Sequence, residues 1–190
     1  MVPNVKTMIL SFWVAAGVVW LVGAFTSKRA ERVQPTRSRL IQIALALLAF
    51  AIGFSKRFEF GLLRRPFVPA SPGVAYIGLV FTFIGISFAI WARLLLGGNW
   101  SGSVTVKENH TLVKRGPYAS VRHPIYSGFL LAVLGTAIAF RELRGLVAIA
   151  LVFVLVATKA RIEEKFMIER FGTEYREYGR RVKALIPFVY

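Results

Sequence analysis

The sequence has no cysteine and no aspartate, and all nine of its acidic residues are glutamate. Without cysteine there is no disulfide scaffold, no thiolate-bound zinc, no iron–sulfur cluster and no thiol nucleophile. Without aspartate, magnesium and phosphoryl-transfer chemistry lose the residue on which they usually rely. Two histidines, His110 and His123, with neither Cys nor Asp beside them make a poor ligand set, and no metal is assigned. Gly-x-Gly-x-x-Gly, phosphate-loop and Gly-x-Ser-x-Gly patterns are missing too, so nucleotide-binding and hydrolase templates of soluble enzymes gain no support. No repeat of 20–50 residues and no low-complexity tract is visible.

What remains is apolar and basic. The 190 residues carry 25 Lys+Arg against 9 Asp+Glu, a formal charge of +16, yet 56% are hydrophobic before glycine is counted. A soluble domain reaches about 45–50% with glycine included. Uncharged runs occupy 8–25, 40–54, 74–92, 125–140 and 146–158. The first and third have the length that crosses a hydrocarbon core of about 30 Å as a helix, and the others need their flanks. For the fifth, Arg141 and Arg144 before it and Lys159 and Arg161 after it have stems long enough to snorkel. Lys28 and Arg29 follow the first run as a stop-transfer flank, which favours a permanent span over a cleaved signal.

Nucleic-acid binding is the competing explanation of so basic a chain, and the placement of the charges speaks against it. They fall between the apolar runs. With sides alternating, one side receives seven Lys/Arg and the other eighteen, in 28–39, 93–122 and 159–183. By the positive-inside rule the N-terminus is expected outside, with the C-terminus and the longer polar segments cytoplasmic. The expected architecture is all-α: an integral membrane five-helix bundle with a cytoplasmic helical tail. Residues 1–96 hold three spans; 97–190 hold a polar loop (97–124), two further spans and the tail (159–190).

Only that loop and that tail are long and polar enough to build a site. In the loop, Gly97-Gly98-Asn99 and 114–117 read as turns, and Val104-Thr105-Val106 is too short for more than a bridge or an extended segment. Proline favours the first helical position, which places His123 at the N-cap of the fourth span, where backbone N–H groups welcome an anionic group. The plain alternative is that His123 only caps and Tyr126 anchors at the interface. The tail continues the fifth helix to a cap at Gly172, and Thr173 opens a short amphipathic helix with Tyr175, Tyr178 and Val182 on a stripe. Glu163 and Glu164 stand about 100° apart, so that one can enter a pocket while the other faces water, with Lys159 one turn before Glu163. A solvated salt-bridge ladder is the plain alternative here.

His110-Thr111-Leu112-Val113-Lys114-Arg115-Gly116-Pro117-Tyr118, followed by Arg122-His123-Pro124-Ile125-Tyr126-Ser127-Gly128, resembles the core motif of the isoprenylcysteine carboxyl methyltransferases, a family of integral membrane enzymes. Glu163-Glu164, Phe171-Gly172, Tyr175, Tyr178 and Pro187 are similar to its C-terminal pattern in order and spacing. The resemblance covers about half the chain. It implies S-adenosylmethionine as methyl donor, with S-adenosylhomocysteine as product, in a cytoplasmic pocket capped by the tail. Carried over by position, it implies that His110, Thr111, Leu112 and Val113 line the cofactor, that Tyr118 encloses it, that His123, Pro124, Ile125 and Tyr126 hold its polar end, and that Glu163 binds it from the tail helix.

Methyl transfer from a sulfonium is an in-line displacement, in which alignment and exclusion of water matter most. A carboxylate acceptor would be steered by Arg161 or Lys159; an amine would need deprotonation, with His123 or Glu163 nearest. The family acts on prenylated cysteine, phospholipid amines and small thiols, so the implied acceptor is lipid-like or small and hydrophobic, reached from the bilayer, and no nucleic acid is expected as partner. Two other readings compete. Sterol reductases share a similar Gly-x-Tyr…Arg-His-Pro-x-Tyr region, which makes an NADPH-dependent membrane reductase one of them. A non-enzymatic scaffold or transporter is the other, although the five runs contain no ionisable residue to mark a transport path.

Overall fold

The computed structural model describes residues 3–25, 30–33, 35–97, 105–107 and 112–187. Six helices carry the fold: α1 (Pro3–Phe25), α2 (Thr36–Phe54), α3 (Pro72–Leu96), α4 (Pro124–Phe140), α5 (Leu143–Phe171) and α6 (Thr173–Arg181). The architecture is all-helical apart from a short antiparallel ribbon in which β1 (Ala30–Val33) pairs with β2 (Thr105–Lys107). The segment read as a bridge at best thus finds a partner more than seventy positions upstream. Lys28, Arg29, Gly98 and Asn99 lie outside the described residues.

Local chemistry sets the helix limits. Ser71 caps α3 by accepting from the Val74 N–H at 3.1 Å, and Pro72 occupies its first position. Gly97 ends α3 and Gly172 ends α5, both at positive φ (55° and 54°). Arg141 takes a left-handed conformation (φ 64°) to close α4, and α5 begins two residues later, so α4 and α5 form a tight hairpin. Among the described residues, four helices are long and apolar enough to cross a membrane: α1, α2, α3 and α5. The fifth apolar run is lengthened at both ends within the 29 residues of α5. The short helix is instead α4, whose 17 residues span about 26 Å.

The core is the contact of α3 with α4. Gly78 and Gly85 face Gly135 and Gly128 so closely that a Cβ added at Gly78 would fall 2.5 Å from the Gly135 carbonyl oxygen, and one at Gly85 2.5 Å from that of Gly128. Inside this seam the fully buried Thr82 donates to the Gly78 carbonyl at 2.9 Å and lies 3.3 Å from the Thr136 hydroxyl, to which Trp13 of α1 donates at 3.0 Å. Lipid tails are as apolar as leucine, so helices associate through such close packing and hydrogen bonding. Val5 and Ile9 of α1 pack on Ala75, Leu79 and Ala139, and α2 lies along α5.

The end of the bundle away from the 97–124 loop is held by Arg144. It does not snorkel: it is buried, donating to the Ser55 carbonyl at 3.0 Å and to Glu59 at 2.9 Å, and pairing with Glu142. Two carboxylates and a helix-end carbonyl satisfy the guanidinium better than a reach toward the headgroups would, and they tie the end of α2 to the start of α5.

Gly85→Ala is expected to destabilise the detergent-solubilised protein by about 1–3 kcal/mol through overpacking of the seam. Gly17→Ala, whose Cβ would meet nothing within 4 Å, is expected to cause no loss. Thermal unfolding followed by tryptophan fluorescence compares the two.

Candidate functional site

At the loop end of the bundle, three chain segments converge on the first turn of α4. His123 occupies the N-cap position but makes no side-chain capping bond. Its buried ring instead spans two carboxylates of α5, with Nδ1 3.3 Å from Glu163 Oε2 and Nε2 3.2 Å from Glu164 Oε1. Glu163 and Glu164 therefore both face inward, one on each side of the histidine, because the imidazole docks over the α5 surface between them. This corrects the expectation that one of the pair would face water, and the solvated ladder with it. Tyr126 stacks on His123 at 5.6 Å between ring centres and donates its hydroxyl hydrogen bond to Glu163. Lys159 Nζ lies 5.6 Å from the centre of the Tyr126 ring.

The neighbouring Arg122 fixes the other side. It contacts Glu164 Oε1 through Nε (2.8 Å) and Nη2 (2.6 Å), and its Nη1 donates to the carbonyls of Gly179 (3.0 Å) and Val182 (2.5 Å) behind α6. The chain after α6 then runs beside the start of α4. The Arg122 N–H donates to the Lys183 carbonyl at 2.8 Å, the His123 N–H to that of Ala184 at 3.0 Å, and the Ser127 hydroxyl to that of Leu185 at 2.5 Å. The tail thus takes backbone donors at the head of α4, and Pro124, at the first helical position, has none to offer.

An aromatic and apolar wall stands beside Glu163. Tyr118, in the 3-10 turn Gly116–Ala119, and Ile125 are buried with Ala92 of α3, and Val113, Tyr126, Trp20 and Phe129 pack against them. Tyr178 donates to the Tyr118 carbonyl at 2.5 Å, which ties α6 to that turn. Burial pushes the Tyr178 phenol up to about 12, and burial, followed by the charge of Glu163, raises Tyr118 further still. Both stay protonated donors at neutral pH. Leu112 is half-buried in the extended segment before this turn, and His110 and Thr111 lie outside the described residues.

The proposed site residues therefore divide. Val113, Tyr118, His123, Ile125, Tyr126, Lys159 and Glu163 share one neighbourhood, with Pro124 setting the start of the helix. Arg161 lies apart from them, lining a separate cavity with Arg122, Glu164 and Lys183. Sequence reading gave no site role to Arg122 or to 183–185, placed Val182 only on the amphipathic stripe, and by spacing left open which of Glu163 and Glu164 enters the pocket. The adjacency of Arg122 to His123, opposite two consecutive glutamates, was the one available signal. Among the described residues no group of three His, Asp or Glu is arranged to hold a metal ion.

Desolvation alone would lower the His123 pKa, but the hydrogen bonds and charges of Glu163 and Glu164 outweigh it and hold the group above its ordinary value near 6.5. A raised folded-state value means that the imidazolium's contribution is fully present below the unfolded value and is lost as pH rises through the folded one. As pH rises above about 6.5 the melting temperature of the wild type is expected to fall relative to that of His123→Gln. A constant difference, read from parallel melts, would show that folding does not raise the pKa of the ring.

The phospholipid methyltransferase family matches residues 74–174, more than half of the chain. A probable protein-S-isoprenylcysteine O-methyltransferase of Oryza sativa subsp. indica is 33% identical over 119 residues, covering 61% of this chain and 62% of the relative. The protein-S-isoprenylcysteine O-methyltransferase of Saccharomyces cerevisiae is 35% identical over 118 residues, 60% of this chain and 48% of the relative. A solved structure of the eukaryotic intramembrane Ras methyltransferase, an isoprenylcysteine carboxyl methyltransferase, aligns with TM-score 0.61 and 27% identity over 77% of this chain and 52% of that one. The chain thus spans about half to three fifths of the length of these relatives. The matched stretch includes α4, α5, all but the first two residues of α3, and Arg122, His123, Tyr126, Lys159, Glu163 and Glu164, but not the tail acceptors at 179–185. The chain belongs to the phospholipid methyltransferase family, and within it resembles the isoprenylcysteine carboxyl methyltransferases.

Proposed function

We propose that the protein is a membrane methyltransferase that uses S-adenosylmethionine to methylate a lipid-like acceptor at the membrane surface. One observation carries the reading: Glu163, a carboxylate at the bundle end, is held between His123 and Tyr126 beside a wall formed by Val113, Tyr118 and Ile125. This donor set fits the cofactor, because an anionic group suits a cationic ligand and aromatic faces suit a purine. When bound, S-adenosylmethionine supplies an electrophilic methyl group on a positively charged sulfur.

The chain's own part is placement. Glu163 attracts the positive ligand, and His123 and Tyr126 hold its carboxylate in one orientation. Glu164 and Arg122 act as positioning residues that keep His123 in register. Tyr118, Leu112, Val113 and Ile125 exclude water from the approach, and the family resemblance assigns His110 and Thr111 to the cofactor as well. Lys159, beside Tyr126, steers the acceptor as a point charge, a role that fits a carboxylate better than an amine. The names of the relatives favour a prenylated cysteine carboxylate as acceptor. With eighteen basic residues on the side of the loop and tail, we place the site and C-terminus at the cytoplasmic face and the N-terminus outside.

Calorimetric titration of the detergent-purified chain with S-adenosylhomocysteine tests the cofactor assignment. Binding is expected to be saturable and to weaken about tenfold or more in Glu163→Gln. Unchanged affinity in that variant, or binding of NADPH instead, overturns the assignment. Lys159→Gln is expected to leave cofactor affinity intact while reducing radiolabelled methyl transfer to a prenylcysteine about 10- to 100-fold.

A further inference from the structure

We infer that a second cavity, on the opposite side of His123 from Tyr126, binds a phosphate group. Ala157, Ala160, Arg161 and Glu164 fall on one face of α5 and form one wall, while Lys159 and Glu163 fall on another face toward Tyr126. Arg122, Lys183, Gly179 of α6 and Ala184 of the segment after it form the facing wall of a space of about 460 Å³. His123 and the Arg122–Glu164 pair separate this cavity from the Glu163 site.

Its charge balance favours an anion. Three cations line it against a single carboxylate, and that carboxylate is already engaged by Arg122 through two contacts and by His123. Arg122 in turn spends its remaining donors on the Gly179 and Val182 carbonyls. The surplus positive charge is therefore that of Arg161 and Lys183, which form no ion pair among the described residues and face one space from opposite walls. A guanidinium fork and an ammonium converging on one volume make a donor set suited to phosphate oxygens. Alanine at 157, 160 and 184 and glycine at 179 leave the room it needs.

The cavity also sits at the right depth. Ala157 belongs to the last turn of the uncharged run 146–158, and Arg161 stands one turn beyond it, at the boundary between hydrocarbon and water. A phosphate at this level comes either from a lipid headgroup or from solution. Neither Arg161 nor Lys183 touches the Glu163 site, so the inference does not depend on methyl transfer.

The test uses the full chain in detergent, with thermal melts against rising phosphatidic acid, diacylglycerol or inorganic phosphate. Saturable stabilisation by phosphatidic acid but not diacylglycerol identifies a lipid headgroup, and stabilisation by inorganic phosphate alone identifies a soluble source; both support the site. Arg161→Gln and Lys183→Gln should each weaken the concentration dependence about tenfold. Lys6→Gln, an exposed charge at the other end of the bundle, should leave it unchanged. The inference is overturned if no phosphate compound stabilises the protein, or if the two cavity variants respond as the wild type or as Lys6→Gln does.

Discussion

The close approach of α3 to α4 is the constraint from which the rest of the molecule follows. Two glycines on each helix, seven residues apart, let the backbones touch over their length. Water is absent from the hydrocarbon region, so the helices gain little from hiding apolar surface and rely on fit and on the Thr82–Thr136–Trp13 hydrogen bonds. This contact fixes the end of α3 against the start of α4. It thereby places Ala92 behind Tyr118 and Ile125 and gives the site a rigid floor.

On that floor the polar cluster is built from the side. α5 delivers both glutamates from a single turn, and the α4–α5 hairpin, closed by Arg141 at one end and anchored by Arg144, sets how far α5 can slide past His123. The bundle thus has an ionic knot at each end. The knot at Arg144 holds helix ends together, and the knot at His123 presents a carboxylate to a neighbouring apolar wall. Their chemistry is alike; what differs is the surroundings, tight helix ends in one case and a packed aromatic wall with a cavity on the far side of Glu164 in the other.

Much of this was legible in the sequence. The apolar runs, Pro124, Gly172 and the polar segments between the runs each carry a local signal, because helix length and helix ends are set by neighbouring residues. The continuation of the fifth helix to Gly172 was legible, but its start was harder to read. Arg144 stands before the uncharged run yet inside the helix, and only its partners reveal why that charge is tolerated there. The glycine spacing at 78, 85, 128 and 135 was present but unread, since a seven-residue repeat of small residues gains meaning only when a second helix is known to face it. The β1–β2 pairing and the inward turn of both glutamates depend on residues distant in the chain. The same holds for the separation of Arg161 from Lys159, two positions apart yet on different faces of α5, one lining the cavity and the other over the Tyr126 ring.

The segment that follows α6 has a consequence for how the protein is made. Residues 182–185 supply acceptors for Arg122, His123 and Ser127, yet they are synthesised about sixty residues after those partners. At ordinary translation rates that is a delay of several seconds, during which the head of α4 lacks these acceptors. Its completion therefore waits on residues far along the chain, and a truncation before residue 182 would leave the donors of Arg122, His123 and Ser127 without them.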